Sequence, residues 1–157
     1  MGTHHTGTET EVFALDAYIK LMRASQAVTA RIHRPLARWK LTASQLGVLD
    51  ALYHLGPLSQ LELARKHLMS PGNITMVVDN LEKRRLVERQ RRTDDRRVVD
   101  VHLTAEGKRL FKEVFPSHVK RITEAMDTLN GLELKELSRL CKELGLKGAG
   151  QKENDHE

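Results

Sequence analysis

From Val12 onward the apolar positions Leu15, Ile19 and Met22 recur at spacings of three and four, and Val28, Ile32 and Leu36 carry the same stripe to about Arg38. This spacing predicts one amphipathic helix of about 40 Å at 1.5 Å per residue. Pro35 falls near its end, where the ring breaks or kinks the last turn. Thr42 with Gln45 three residues later is a capping pair, and Leu46, Leu49, Leu52 and Tyr53 then mark the buried face of a second helix, which Gly56 and Pro57 end. Ser59 and Glu62 repeat the capping pair ahead of a short third helix carrying Leu61, Ala64 and Leu68. Ser70 caps a fourth. Pro71 suits its first position, where the missing amide would be unpaired anyway, and Ile74, Val77, Val78 and Leu81 form its inward stripe.

The periodicity then changes from helical to alternating. Leu86 to Arg92 and Val98 to Thr104 read as two strands around the charged turn Thr93–Arg97, with Val99, Val101 and Leu103 alternating with Asp100 and His102 as a half-buried strand requires. That is a β-hairpin with an arginine-rich tip. Thr104 can cap a further helix with Leu110, Val114, Ile122, Met126 and Leu129 on one face, widened by Phe111, Phe115 and Val119. Pro116 should bend this run or divide it into two. A last helix carries Leu134, Leu137, Cys141 and Leu144. The expected class is mainly α with a small β-hairpin wing. The polar leader Met1–Thr10 and the tail after Leu146 carry no such periodicity and are expected to be disordered.

A chain of 157 residues makes one compact domain with room for a core. Its formal net charge is +5, and the excess is concentrated. Between Lys83 and Arg97 stand eight Lys or Arg against Glu88, Asp94 and Asp95, a balance suited to a phosphate backbone. No apolar run approaches the roughly twenty residues that span a bilayer, and the leader lacks a signal peptide's apolar centre, so no membrane partner and a cytoplasmic location are expected. Cys141 is the single cysteine, which excludes an intrachain disulfide and a cysteine-rich zinc module. His33, His54, His67, His102 and His118 are scattered without HxxxH or HExxH spacing, so neither a metal nor another cofactor is expected. No phosphate-cradling glycine loop, nucleophile elbow or acid/base pair supports an enzyme reading.

The run LSQLELARKHLMSPGNITMVVDNLEKRRLVER, followed by DDRRVVDVHLTAEG, resembles the winged helix-turn-helix of the MarR (multiple antibiotic resistance regulator) family of bacterial transcription factors. The flanking helices extend the likeness over roughly Glu11 to Leu146. The resemblance implies a single domain over 11–146, in which 41–107 form the winged helix-turn-helix and 11–40 and 108–146 the dimerisation helices, with 1–10 a leader and 147–157 a tail. It implies a homodimer on an inverted-repeat operator in double-stranded DNA, usually a repressor, released when a small molecule or oxidant alters the spacing of its two reading heads. One departure stands out. Where relatives commonly have Gly after the recognition helix, this chain has Arg85, a residue with no preference for the left-handed geometry of such an exit turn.

On this reading the outward face of the fourth helix enters the major groove. Its residues are Ser70, Pro71, Gly72, Asn73, Thr75, Met76 and Asn80. Asn73 is the leading base reader, because an amide can bond adenine bidentately. Ser70 caps its helix or touches phosphate, Gly72 permits close approach, and Met76 would meet a thymine methyl. At the wing, Arg91, Arg92, Arg96 and Arg97 are the DNA-binding candidates, with Arg96 foremost for a narrow minor groove. The competing reading makes them a solvated turn. Asp79, acidic on a face that meets DNA, is read as wing-orienting through a wing arginine, or as an ordinary solvated aspartate. Lys83, Arg84 and Arg89 are expected at phosphates or as background charge.

The signal sensed is less legible. An aromatic or phenolic effector among Phe13, Tyr18, Trp39, Tyr53 and Phe115 is one reading, although aromatics at helical spacing also make plain core. Oxidative sensing would have to use Cys141, which lies on an apolar stripe without a nearby cation to lower its pKa, so inert packing competes with it. From another class, a non-specific architectural DNA-binding protein would share the charge pattern and differ only in lacking operator preference. A winged module that binds a protein partner is a third reading, and the basic wing argues against it.

Overall fold

The computed structural model describes residues 3–92, 95 and 97–150, and of 146–150 only the backbone. Helix α1 spans Glu9–His33 and opens on Thr8, whose hydroxyl accepts from the Glu11 amide while the Glu11 carboxylate accepts from the Thr8 amide. It therefore begins inside the segment expected to be leader, because the capping pair lies upstream of the first periodic residue. At Arg34 the chain tightens into a 3-10 helix, Arg34–Trp39, with Pro35 in its first turn. The long helix expected to reach Arg38 is thus two pieces. Helices α2 (Ala43–Leu55), α3 (Gln60–Lys66) and α4 (Pro71–Lys83) follow, started by Thr42, Ser59 and Ser70 as side-chain caps.

The wing is larger than the expected hairpin. Strands β2 (Val87–Arg91) and β3 (Val99–Leu103) pair antiparallel, and a two-residue strand β1 (Leu58–Ser59) adds to the far side of β3, giving the order β1-β3-β2. Leu58 lies opposite Val101 and Ser59 opposite Asp100. As the central strand, β3 is covered more than its alternation predicts. Asp100, a polar member of that alternation, is buried and accepts from Arg92 Nε at 2.6 Å, while Val99 at the strand's end is exposed.

The core lies under this reading head. Leu36, Val48, Leu49, Leu63, Ile74, Val78, Leu81, Val87, Val101, Phe111 and Val114 are all essentially inaccessible. Leu61 and Leu68, expected on the buried face of α3, are exposed, and Leu63 and Ala64 take that place. The reason is length: α3 ends at Lys66, so Leu68 belongs to the following turn, and Leu63 and Ala64 define the buried phase.

Helix α5 (Ala105–Met126) starts on Thr104, whose hydroxyl accepts from Gly107 and donates to the Arg85 and Leu86 carbonyls. It runs through Pro116 as one helix, so of the two expected outcomes the division does not occur. Pro116 is exposed, so the carbonyl it leaves unbonded lies on the wet side of the helix. Asn130 then takes the first amides of α6 (Gly131–Gly150), accepting from Leu132 at 2.9 Å and Glu133 at 3.1 Å. The last helix extends past Leu146, into the segment expected to be tail.

Candidate nucleic-acid interface

Helix α4 presents two chemically distinct faces. Ile74, Val78 and Leu81 are buried against the core. Ser70, Pro71, Gly72, Asn73, Met76 and Asn80 are exposed, with Thr75 and Asp79 half-buried at the edge. Ser70 Oγ accepts from the Asn73 amide at 3.3 Å, so its hydroxyl caps the helix. Thr75 donates to the Pro71 carbonyl at 2.9 Å and accepts from Gln60 at 3.3 Å, so its hydroxyl is already engaged. The side-chain amides of Asn73 and Asn80 form no hydrogen bond among the described residues, and a Cβ on Gly72 would meet nothing within 4 Å. The face is open, polar and unobstructed.

The wing is tied to this helix by one guanidinium. Arg89 on β2 donates through Nη2 to Asp79 at 2.5 Å, through Nη1 to Glu82, and through Nε and Nη2 to Gln60 Oε1 at 3.0 and 2.7 Å. Burial works against its charge, but the Asp79 and Glu82 hydrogen bonds outweigh it and hold the Arg89 pKa above its ordinary value. Arg89 was expected at phosphates or as background charge, and every nitrogen of its fork is engaged within the chain. Arg84 is likewise turned inward, donating to the Lys40 and Trp39 carbonyls at 2.6 and 3.1 Å.

The wing candidates separate in the same way. Arg92 pairs with Asp100 at 2.6 Å and Glu62 at 3.7 Å, which places it at the base of the sheet. The Ser59 hydroxyl and amide, and then Arg92, hold the Glu62 carboxyl below the usual carboxylate range. Arg97 is 90% exposed and pairs with Asp95 at 3.1 Å. Arg91 is exposed and meets no carboxylate among the described residues. Arg96, the foremost wing candidate, lies outside the described residues.

The five aromatic residues expected to hold an effector do not converge. Phe13 and Tyr18 are 64% and 60% exposed on α1. Trp39 donates to Glu113 Oε1 at 2.9 Å under Arg38. Tyr53 and Phe115 each stack near Phe111, at ring separations of 4.6 Å. A cleft of about 190 Å³ between α1, α2 and α5 takes in only Phe115 of the five, with Leu46, His33, Asp50 and His118 around it. The His33 and His118 rings are near-parallel at 6.3 Å, and His118 Nδ1 is buried without a hydrogen-bond partner among the described residues. Burial, then His33, pushes the His118 pKa below the ordinary histidine value. These three polar residues went unrecognised in the sequence because they come from three helices and share no spacing.

Cys141 is exposed on α6. Among the described residues no cluster of His, Cys, Asp or Glu is placed to hold a metal, and no helix is long and apolar enough to cross a membrane.

Comparison with known proteins agrees with this geometry. The MarR family model matches residues 41–99, the segment from the start of α2 to the wing. The chain is 31% identical over 133 residues to the HTH-type transcriptional regulator MhqR of Bacillus subtilis, covering 85% of this chain and 92% of that protein. Among solved structures, a MarR family transcriptional regulator from Streptomyces coelicolor in complex with DNA shares the fold at a TM-score of 0.80 and 22% identity, over 92% of this chain and 91% of that one. Bordetella bronchiseptica BpsR, whose DNA binding is regulated by 6-hydroxynicotinic acid, is 28% identical with a TM-score of 0.73, over 82% of this chain and 98% of that one. A polar-faced helix braced to a basic wing, in a chain matched by the MarR family model and along most of its length by such a regulator, identifies the chain as a member of the MarR family of DNA-binding transcriptional regulators.

Proposed function

We propose that the protein is a homodimeric repressor that grips an inverted-repeat operator with two copies of α4 and is released by a small aromatic effector. The observation that carries this reading is the free polar face of α4, where the Asn73 and Asn80 amides are exposed while the opposite face is sealed into the core. Asn73 reads a base edge, contributing about 1–3 kcal/mol of discrimination. Arg91, Arg96 and Arg97 serve the minor groove or phosphates, and Asp79 sets the wing's angle through Arg89.

Dimerisation is supported by apolar side chains that a single chain leaves in water. Phe13, Leu15, Tyr18, Leu21 and Met22 are exposed on α1, as are Val119, Ile122, Leu132, Leu140 and Leu144 on α5 and α6. A two-fold pair would set its reading helices about 34–36 Å apart, one turn of duplex. The cleft beside Phe115 suits the effector: Phe115 and Leu46 offer apolar walls, and the unpartnered His118 Nδ1 offers a polar contact for a hydroxyl or carboxylate. The regulation of BpsR by a hydroxylated aromatic acid supports the same class of ligand.

The test is a binding series on half-site variants. Asn73→Ala should flatten discrimination among them while the protein stays dimeric in sedimentation. Equal losses on every sequence would make Asn73 a backbone contact, and a wild type that binds its palindrome no better than shuffled DNA would establish an architectural protein instead.

A further inference from the structure

Away from α4 and the wing, three guanidiniums border one cleft. Arg31 near the end of α1, Arg34 at the start of the 3-10 helix and Arg121 on α5 line an opening of about 330 Å³, with Glu124, Pro35 and Ala125 as the rest of its lining. It shares no lining residue with the cleft beside Phe115. Helical spacing gathers the cluster: Arg31 and Arg34 lie three apart on one side, and Arg121, Glu124 and Ala125 stand at i, i+3 and i+4 on the other.

These cations are not balanced from within the chain. Arg31 Nη2 donates to the Glu124 backbone carbonyl at 3.2 Å, which ties its guanidinium to α5 without neutralising it. The Glu124 carboxylate meets Lys120 at 3.8 Å instead. Arg34 and Arg121 are exposed, and neither comes within ion-pair distance of a carboxylate among the described residues. The lining thus carries three positive charges against one negative, an excess of two, and like charges gathered around one opening repel one another until an anion enters.

We infer that this cleft binds a phosphate group, carried by a small metabolite or free in solution. A carboxylate saturates one arginine fork, whereas a phosphate dianion has oxygens for several guanidiniums and matches the excess charge. Buried Ala125 and half-buried Pro35 leave a short apolar wall for the carbon skeleton of a phosphate ester. The bound anion ties the turn that leads into α2 to the middle of the α1–α5 pair, because its arginines come from both sides of that crossing.

The test is calorimetric titration of the full-length protein with inorganic phosphate, glycerol 3-phosphate and glycerol, at one ionic strength held with chloride. Saturable phosphate binding is expected, with none for glycerol. Tighter binding of glycerol 3-phosphate identifies an ester as the ligand, and equal or weaker binding the free ion. Arg34→Gln and Arg121→Gln change exposed side chains and should each weaken phosphate about tenfold at an unchanged melting temperature. Glu124→Gln removes the opposing charge and should tighten phosphate about two- to threefold, a gain that unfolding cannot mimic. No saturable binding above the chloride background, or arginine variants that bind phosphate like wild type, would overturn the site. So would affinity lost in Arg91→Gln and kept in Arg121→Gln, which puts the anion on the wing. If phosphate never binds and Arg121→Gln instead shifts the sedimentation equilibrium or the salt slope of operator binding, the cleft serves a partner's carboxylate or DNA, and the phosphate site fails.

Discussion

Arg89 on β2 holds Asp79 on α4 at 2.5 Å, and the same guanidinium meets Glu82 one turn further along the helix and Gln60 at the start of α3. A single cation thus locks three elements of the reading head into one angle. It does so with a side chain only 25% exposed, so the ion pairs are less screened than ordinary surface pairs. Asp79 and Glu82 are both engaged by Arg89, so their presence at the edge of the polar face of α4 has a structural reason.

Removing the hub should therefore cost more than removing one spoke. Arg89→Ala leaves two carboxylates facing each other and should destabilise the fold by about 2 kcal/mol, whereas Asp79→Ala, at a site close to half exposed, should cost less than about 1 kcal/mol. Both should weaken operator binding by loosening the wing. Urea melts of the single and double variants, combined as a thermodynamic cycle, measure the coupling, and independent, additive effects would dismiss the brace.

The exit from α4 stores strain at Arg85. Its φ is 59°, its amide bonds the Glu82 carbonyl, and the Leu86 amide returns to the Leu81 carbonyl. The turn is the left-handed one that glycine favours, here built with an arginine and held by Thr104. Arg85→Gly should raise stability by about 0.5–1 kcal/mol, the relief of strain exceeding the added freedom of the unfolded chain. A lower denaturation midpoint would show that the arginine stem contributes packing of its own.

Gly107 should tolerate no side chain. It is buried in the first turn of α5, and a Cβ there would overlap the Leu86 carbonyl and crowd Leu103. Because the obstacle is backbone, it cannot swing aside. Gly107→Ala should destabilise by about 1–3 kcal/mol and shift the wing strands against α5, observable as a lower melting temperature with weaker DNA binding.

Acid should loosen the contact of His67 with α2 and the junction between α1, α2 and α5. Burial depresses the pKa of His67 and, together with His33, that of His118. A histidine whose native pKa lies below its unfolded value leaves stability intact above the unfolded pKa of about 6.5 and lowers it as pH falls, because the unfolded chain binds the proton more tightly. Melting temperatures should decline from pH 7 to 5, and His118→Asn should flatten part of that slope. A parallel decline in the variant would place the titration elsewhere.

Much of the architecture was legible because it is written within one or two turns of chain. The caps at Thr42, Ser59, Ser70 and Thr104 each act over three residues, and the inward stripe of α4 repeats at helical spacing, so both α4 and the paired strands could be read in order. What escaped is long-range. No local pattern distinguishes Arg89, folded inward, from Arg91, left in solvent, since both alternate along the same strand. The buried phase of α3 on Leu63 depended on where a seven-residue helix stops, and β1 was too short to carry a period of its own.

From sequence alone came the identity of most elements and the polar outward face of α4, because capping and hydrophobic periodicity are local free energies that each segment expresses by itself. Only the tertiary structure decided which arginine braces the wing and which polar residues share a cleft. His33, Asp50 and His118 meet because α1, α2 and α5 cross there, and charge carries no periodicity that could announce a partner many residues away.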